Sequence, residues 1–314
     1  MLIIKKISVL SGFVGAAVII MTLFTGCMFG SQNKIEKLND AIRTEDYAAA
    51  EEMISNMTAD DINKGARKAS YHPLTLACFY GQEQIVSMLL EKGADVNFCE
   101  DETGDTPVIT ALDSDSAARY RIANMLIEAG ADINAVNKSG FSPLTLVLKH
   151  KAKDTDEMDA ERLELFKVLY EEADVDNCLA KEPMQPRNAV ELAVNMDSPD
   201  AVDWLISEKG FAPSDIPALD GSMLHYSYNL DEQGHLTNGL RMIEYIVRNG
   251  LEDINTLNPD GKTILMTAAE AEDAEACELF LSLGADKTMR DNAGKTAYDY
   301  AAKYNSGELD KLLR

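Results

Sequence analysis

Apolar positions along this chain recur with the period of short amphipathic helices. In "EQIVSMLLEKGADVN" the residues Ile85, Met88 and Leu89 fall at i, i+3 and i+4, and in "RIANMLIEAGADIN" Ile122, Met125 and Leu126 do the same. That spacing gathers the apolar side chains on one stripe and predicts a helix over each segment. A glycine follows the stripe at Gly93, Gly130, Gly210, Gly250 and Gly284, where a residue that tolerates the left-handed conformation can close a helix. A shorter helix precedes each stripe. Thr106 and Ser142 stand ready as N-caps, followed by Pro107 and Pro143, and proline at the first helical position loses no needed donor.

The pattern is a repeat. Pro73, Pro107, Pro143, Ala189, Met223, Ile264 and Ala297 occupy equivalent places, at intervals of 34, 36, 46, 34, 41 and 33 residues. "YHPLTLACFYGQEQIVSMLLEKGADVN" and "DGKTILMTAAEAEDAEACELFLSLGADK" show the unit most fully, and Gly-Ala-Asp stands intact at Gly93–Asp95, Gly130–Asp132 and Gly284–Asp286. These segments resemble ankyrin repeats, whose period is about 33 residues. The resemblance implies an all-α solenoid of helix-turn-helix units with β-turn tips. It covers residues 34–314 as about eight units, with degenerate caps at both ends. The first of these, residues 34–66, reads as two short helices followed by "DIN". No single unit encloses a core, so each helix pair must stack on its neighbours.

The pattern departs from the family in the middle of the chain. "KHKAKDTDEMDAE", Lys149 to Glu161, is inserted between the helices of the third unit, and "NLDEQGHLTNG", Asn229 to Gly239, within the fifth. The fourth unit opens with "CLAKEPMQPRNAVELA", without the turn glycine. Curvature is expected to be disturbed over residues 149–240. Insertions in repeat proteins often fall on one face and touch partners, and they are equally compatible with neutral loops, since loop length is thermodynamically inexpensive.

The N-terminus reads differently. Lys5 and Lys6 precede an uncharged run from Ile7 to Gly26, which ends in "LFTGC". A basic start, an apolar stretch and small residues before a cut describe a secretory signal. The ending resembles a bacterial lipobox, with Phe24 where leucine is commoner. The resemblance implies residues 1–26 as signal peptide, Cys27 as the acylated first residue, and 27–33 as a lipidated tether. The alternative is an uncleaved anchor helix, because the run is nearly long enough to span a bilayer. Both place the repeats outside the cytoplasm at the cell envelope. In a Gram-negative cell of the enteric type, Met28 rather than aspartate implies delivery to the periplasmic face of the outer membrane.

Charge narrows the partners. The chain of 314 residues carries 53 acidic against 29 basic residues, a net charge of −24. Loss of the first 26 residues removes Lys5 and Lys6 and no acid, leaving 27 bases and a net charge of −26. Such a field disfavours nucleic acid and anionic headgroups and attracts a basic protein, while the same acids also keep an extended surface soluble. Cys78, Cys99, Cys178 and Cys277 show no metal-ligand spacing. Cys78 and Cys277 fall on buried helical positions and read as free thiols, with Cys78–Cys99 the pair an oxidising compartment would join first. His72, His150, His225 and His235 form no metal or catalytic motif, and neither G-x-S-x-G nor a P-loop occurs. No enzyme, cofactor, metal or small-molecule substrate is expected. His225 in "SMLHYS" matches the family's structural helix-A histidine, and Trp204 shares an inward helix-B position with Met88, Met125 and Tyr245.

The ankyrin resemblance implies a partner on the concave face, formed by the tips and the free side of the first helix. Its tip positions map to Glu102, Asp105, Lys138, Phe141, Arg187, Asp260, Lys262, Asn292 and Lys295. On the first helix, Phe79 and Tyr80 stand where polar residues are usual. They read either as an aromatic anchor for a partner or as packing beneath the adjacent unit. The expected function is a membrane-tethered protein-binding module of the bacterial envelope. Some bacterial ankyrin lipoproteins resemble immunity proteins against secreted toxins such as lipase effectors, which makes inhibition the sharper expectation. A scaffold for an envelope assembly is the alternative.

Overall fold

A computed structural model describes residues 34–66, 71–149, 155–183, 186–218, 222–228, 239–302 and 307–314. The proposed signal, Cys27, the tether, His150, His235 and most of the Asn229–Gly239 insertion therefore lie outside the described residues. Among the described residues every regular element is helical, 18 α-helices and one 3-10 turn at Pro213–Asp215.

All seven equivalent positions read from the sequence are first helical residues. α1 (Lys34–Arg43), α2 (Tyr47–Ser55) and α3 (Ala59–Ala66) form the N-terminal cap. The first unit is α4 (Pro73–Phe79) with α5 (Glu83–Glu91), the second α6 (Pro107–Asp113) with α7 (Arg119–Glu128), and the third α8 (Pro143–Val147) with α9 (Asp156–Glu172). α10 (Val175–Lys181) precedes the fourth, α11 (Ala189–Asn195) with α12 (Pro199–Lys209). The last three are α13 (Met223–Ser227) with α14 (Leu240–Arg248), α15 (Ile264–Glu270) with α16 (Ala274–Ser282), and α17 (Ala297–Ala301) with α18 (Gly307–Leu313). The expected eight helix pairs are present, with α3 and α10 additional.

First helices stack on first helices, as α4 on α6 and α15 on α17, and second helices on second helices, as α5 on α7. Each closes a continuous apolar core that includes Leu74, Leu89, Val108, Leu126, Leu144, Leu169, Leu192, Leu205, Leu265 and Phe280, all buried. The five glycines expected to close second helices all have positive φ, from 64° at Gly250 to 96° at Gly284, so their lack of a Cβ is used.

A polar ladder holds the units in register. Asn63 donates to the Gly93 carbonyl at 2.9 Å and accepts from the Asp95 amide at 2.8 Å. Asn97 repeats this with Gly130 and Asp132 at 3.1 and 2.7 Å, and Asn255 with Gly284 and Asp286 at 3.5 and 2.7 Å. Asn134 accepts from the Asp174 amide at 2.7 Å. Each asparagine thus satisfies backbone groups of the next unit that a short helix leaves unpaired.

Several expectations need correction. The cap holds three helices, with "DIN" inside α3 rather than in a turn. The Lys149–Glu161 insertion is helical from Asp156 onward, because Thr155 caps α9 by accepting from the Met158 amide at 3.3 Å. The irregular opening of unit four contains α10, capped by Asp174 accepting from the Asn177 amide at 3.1 Å. Ser142 caps α8 as expected, whereas Thr106 supplies α6 no side-chain hydrogen bond. Trp204, Met88, Met125 and Tyr245 pack against the core as expected, though half-buried rather than fully enclosed. Cys78, Cys178 and Cys277 are buried, Cys99 is exposed, and all four are free, so no Cys78–Cys99 bridge forms.

Candidate interaction surface

Three tips are each shaped by one side chain. Asn137 Oδ1 accepts from the Ser139 and Phe141 amides at 3.0 and 2.9 Å. Asn258 Oδ1 accepts from Asp260 and Lys262 at 3.0 and 2.9 Å, and Asp291 Oδ1 from Ala293 and Lys295 at 2.9 and 2.8 Å. Short polar side chains that bond the backbone two residues on favour such turns. These three residues were missed in the sequence, although each lies six positions before the first residue of a helix, Pro143, Ile264 and Ala297.

Adjacent tips are tied together, and this uses several of the expected contact residues. The Lys138 amide donates to the Thr103 carbonyl at 2.9 Å, and Asn137 Nδ2 donates to Asp105 Oδ1 at 2.8 Å. The Asn292 amide donates to the Asp260 carbonyl at 3.2 Å, and Asn292 Nδ2 to the Pro259 carbonyl at 3.1 Å. Lys262 donates to Glu270 at 2.6 Å and lies 4.4 Å from the centre of the Tyr300 ring, which Lys295 also approaches at 5.1 Å. The Tyr300 hydroxyl donates to Asp291 at 2.5 Å and, as the largest influence, holds that carboxyl below its ordinary range.

Arg187 pairs with Glu191 at 2.8 Å, and the other Glu191 oxygen accepts from the Tyr226 hydroxyl at 3.1 Å. The same hydroxyl lies 2.9 Å from Asn195 Oδ1, so its one proton is shared between the two acceptors, and the Tyr226 phenol is pushed up to about 12, first by burial and then by Glu191. Asp113 and Lys149 form a further pair at 3.0 Å on the free ends of α6 and α8. Glu191, Asn195, Tyr226 and Asp113 thus join the face without having been picked out in the sequence.

The aromatic candidates divide. Phe79 is 37% exposed and meets the half-buried Tyr80 edge to face at 5.3 Å. Phe141 is half-buried and packs against the core, so Phe79 is the freer anchor. Glu102, Lys138, Arg187, Asp260, Asn292 and Lys295 are exposed, while Asp105 and Lys262 are half-buried.

Charge is distributed unevenly. The tip positions mix Glu102, Asp105 and Asp260 with Lys138, Arg187, Lys262 and Lys295. The acid excess lies elsewhere. Asp95, Asp132, Asp174, Asp253 and Asp286 are exposed in the loops after the second helices, and Glu52, Glu91, Glu128, Glu171, Glu208 and Glu278 on those helices. The concave face is therefore not itself strongly acidic.

The described histidines are structural in their contacts. His72 caps α4, its Nδ1 accepting from the Leu74 amide at 3.2 Å. His225 Nδ1 lies 2.9 Å from Ser222 Oγ in its own unit. Glu252 of the next loop accepts from Ser222 Oγ at 2.6 Å and from the Met223 amide at 2.7 Å. Among the described residues no group of metal-ligating side chains comes together, and no helix is long and apolar enough to cross a membrane.

The family model for ankyrin repeats (3 copies) matches residues 38–137 and 233–314, more than half of the chain. No curated protein matches it. The unmatched middle contains α10 and the third unit's insertion, the places where the repeat is interrupted. The stacked helix pairs, left-handed glycines, asparagine ladder and paired tips agree with that match, and the chain belongs to the ankyrin-repeat family, a family of protein–protein interaction modules.

Proposed function

We propose that this protein is a lipid-tethered binding module of the bacterial cell envelope that captures a protein partner on its concave face, in the sharper form as an immunity protein that blocks a secreted toxin such as a lipase effector. The observation that carries the reading is the tip row. It carries exposed charges of both signs, and on the same face the first helices offer the exposed Phe79 at the far end of α4. The tip backbone is already fixed by hydrogen bonds within and between units. A preorganised surface loses little entropy on binding. The mixed charges set register, while the net charge of −24 steers a basic protein from a distance.

The lipobox-like sequence supports the tether. Six residues lie between Cys27 and Lys34, where α1 begins, so an acyl group on Cys27 would hold the cap within roughly 25 Å of the bilayer at full extension. The test has two arms. Metabolic labelling with a fatty acid, with Cys27→Ala as control, reads the anchor, and loss of label in both proteins rejects it. Affinity capture from envelope and secreted fractions, repeated with Phe79→Ala and Lys138→Glu, reads the surface. A secreted hydrolase lost with these substitutions supports inhibition. A resident envelope protein lost with them supports a scaffold and rejects the toxin reading. Capture indifferent to both substitutions rejects the concave face.

A further inference from the structure

Units are joined differently in the middle of the solenoid. Elsewhere the asparagine ladder and the tip bonds connect each unit to the next. Among the described residues, neither is seen between units three and four or four and five. Asp176 stands where Asn97 stands in unit one, and α10 takes the place of a tip.

A cluster of charges joins these units instead at the opposite side, the N-terminal end of α9, where first helices turn into second helices. Arg162 is fully buried there. Its Nη2 pairs with Asp200 of α12 at 3.0 Å and with Asp159 at 3.3 Å. Its Nη1 donates to the Leu148 carbonyl at 3.3 Å and to the Ser198 hydroxyl. Asp159 also pairs with Arg241 of α14 at 3.3 Å. Asp197, beside α12, accepts from the Met242 amide at 2.8 Å and the Arg241 amide at 3.4 Å. The cluster is not fully satisfied, since Arg162 Nε and Arg241 Nη1 are buried without a hydrogen-bond partner. Such a network is sensitive to the loss of any member.

At the other end of α9 the contact is apolar. Trp204 of α12 meets Phe166 at 5.8 Å and Tyr170 at 5.5 Å, with Lys209 4.9 Å above its ring. Arg162 and Tyr170 are eight residues apart, about 12 Å along a helix. Two attachments at that separation fix an angle, whereas one leaves it free.

We propose that Arg162, with Asp159, Asp200, Asp197 and Arg241, is a latch that sets the angle between the N-terminal block, through unit three, and the C-terminal block, from unit four, with the Phe166–Tyr170–Trp204 cluster as the pivot. The device sets how far apart the two halves of the concave face stand. It does not depend on what that face binds.

Cys99 is an exposed native thiol, whereas Cys78, Cys178 and Cys277 are buried. A donor and an acceptor dye on Cys99 and on Ser282→Cys, in a chain carrying Cys27→Ser, report the distance between blocks by single-molecule energy transfer. Arg162→Met removes the latch and leaves the pivot. The expected result is a broadened distance distribution with unchanged emission from Trp204, the sole tryptophan. Asp200→Asn gives the same change more mildly and serves if the arginine variant does not fold. Arg121→Met removes exposed pairs to Glu83 and Glu161 outside the latch and leaves the distribution narrow. An unchanged distribution in the latch variants overturns the proposal. So does broadening with a red-shifted Trp204, which reports local unfolding, or equal broadening in Arg121→Met.

Discussion

His72 makes the stability of the first unit depend on pH. It stands where the other units place serine, threonine or, in unit four, Asn188, and it is fully buried and stacked on Phe98 at 4.4 Å. Because Nδ1 accepts from the Leu74 amide, the proton of the neutral ring belongs on Nε2, which lies 3.4 Å from Asn63 Oδ1. A second proton on Nδ1 would abolish the cap and place a charge in the core. Burial lowers the imidazole from its ordinary 6.5 to about 4, only partly opposed by Asp95. Between those values the unfolded chain binds more protons than the folded one, so stability falls as pH falls. Treating the two states as independent titrations gives a loss of about 2 kcal/mol between pH 7.5 and 5.0. The perturbation is His72→Thr, which keeps a capping oxygen and does not titrate. Urea unfolding of both proteins at the two pH values isolates the term, because carboxylates common to both cancel. The variant is expected to gain about 2 kcal/mol relative to wild type on moving to pH 5.0. Parallel pH dependence of the two proteins, or an NMR titration of His72 centred at 6 or above, would refute the reasoning.

Three further outcomes are expected. Gly140→Ala places a Cβ 2.2 Å from the Lys181 carbonyl at a φ of +89°, forcing α10 away, and thermal melting should show a loss of about 1–3 kcal/mol. Asn97→Ala removes both ladder bonds to unit two and should lower stability in urea by about 1–3 kcal/mol, whereas Asn177→Ala, outside the ladder, should be near neutral. In native protein lacking Cys27, a thiol reagent should modify Cys99 at once and the other three cysteines only on unfolding, since burial removes access and raises the Cys277 thiol to about 12; four fast thiols would show an open core.

Much of the architecture was legible because helix stacking imposes a strict period. Pro73, Pro107, Pro143, Ala189, Met223, Ile264 and Ala297 could be aligned even where proline was replaced, and all begin helices. The left-handed glycines were legible for the same local reason, as only the backbone at that position decides the residue. The site was less so. Phe79 could be placed at an exposed helix end, but whether Tyr80 and Phe141 face solvent depends on the adjoining units, and both proved half-buried. The roles of Lys262 and Asn292 in tying tips together were equally hidden, because their partners Tyr300 and Pro259 lie in other units.

The sequence by itself determined the repeat, its phase, the number of helix pairs and the acid excess, since each is a property of local spacing or of composition. Tertiary structure decided where the charge sits and how the irregular middle is joined. The acids gather along the second helices and the loops after them, away from a tip row of mixed sign. Arg162 is 38 residues from Asp200 along the chain and 3.0 Å from it in space. No periodicity announces such a pair, because a buried charge is defined by what surrounds it and its surroundings come from four separate segments.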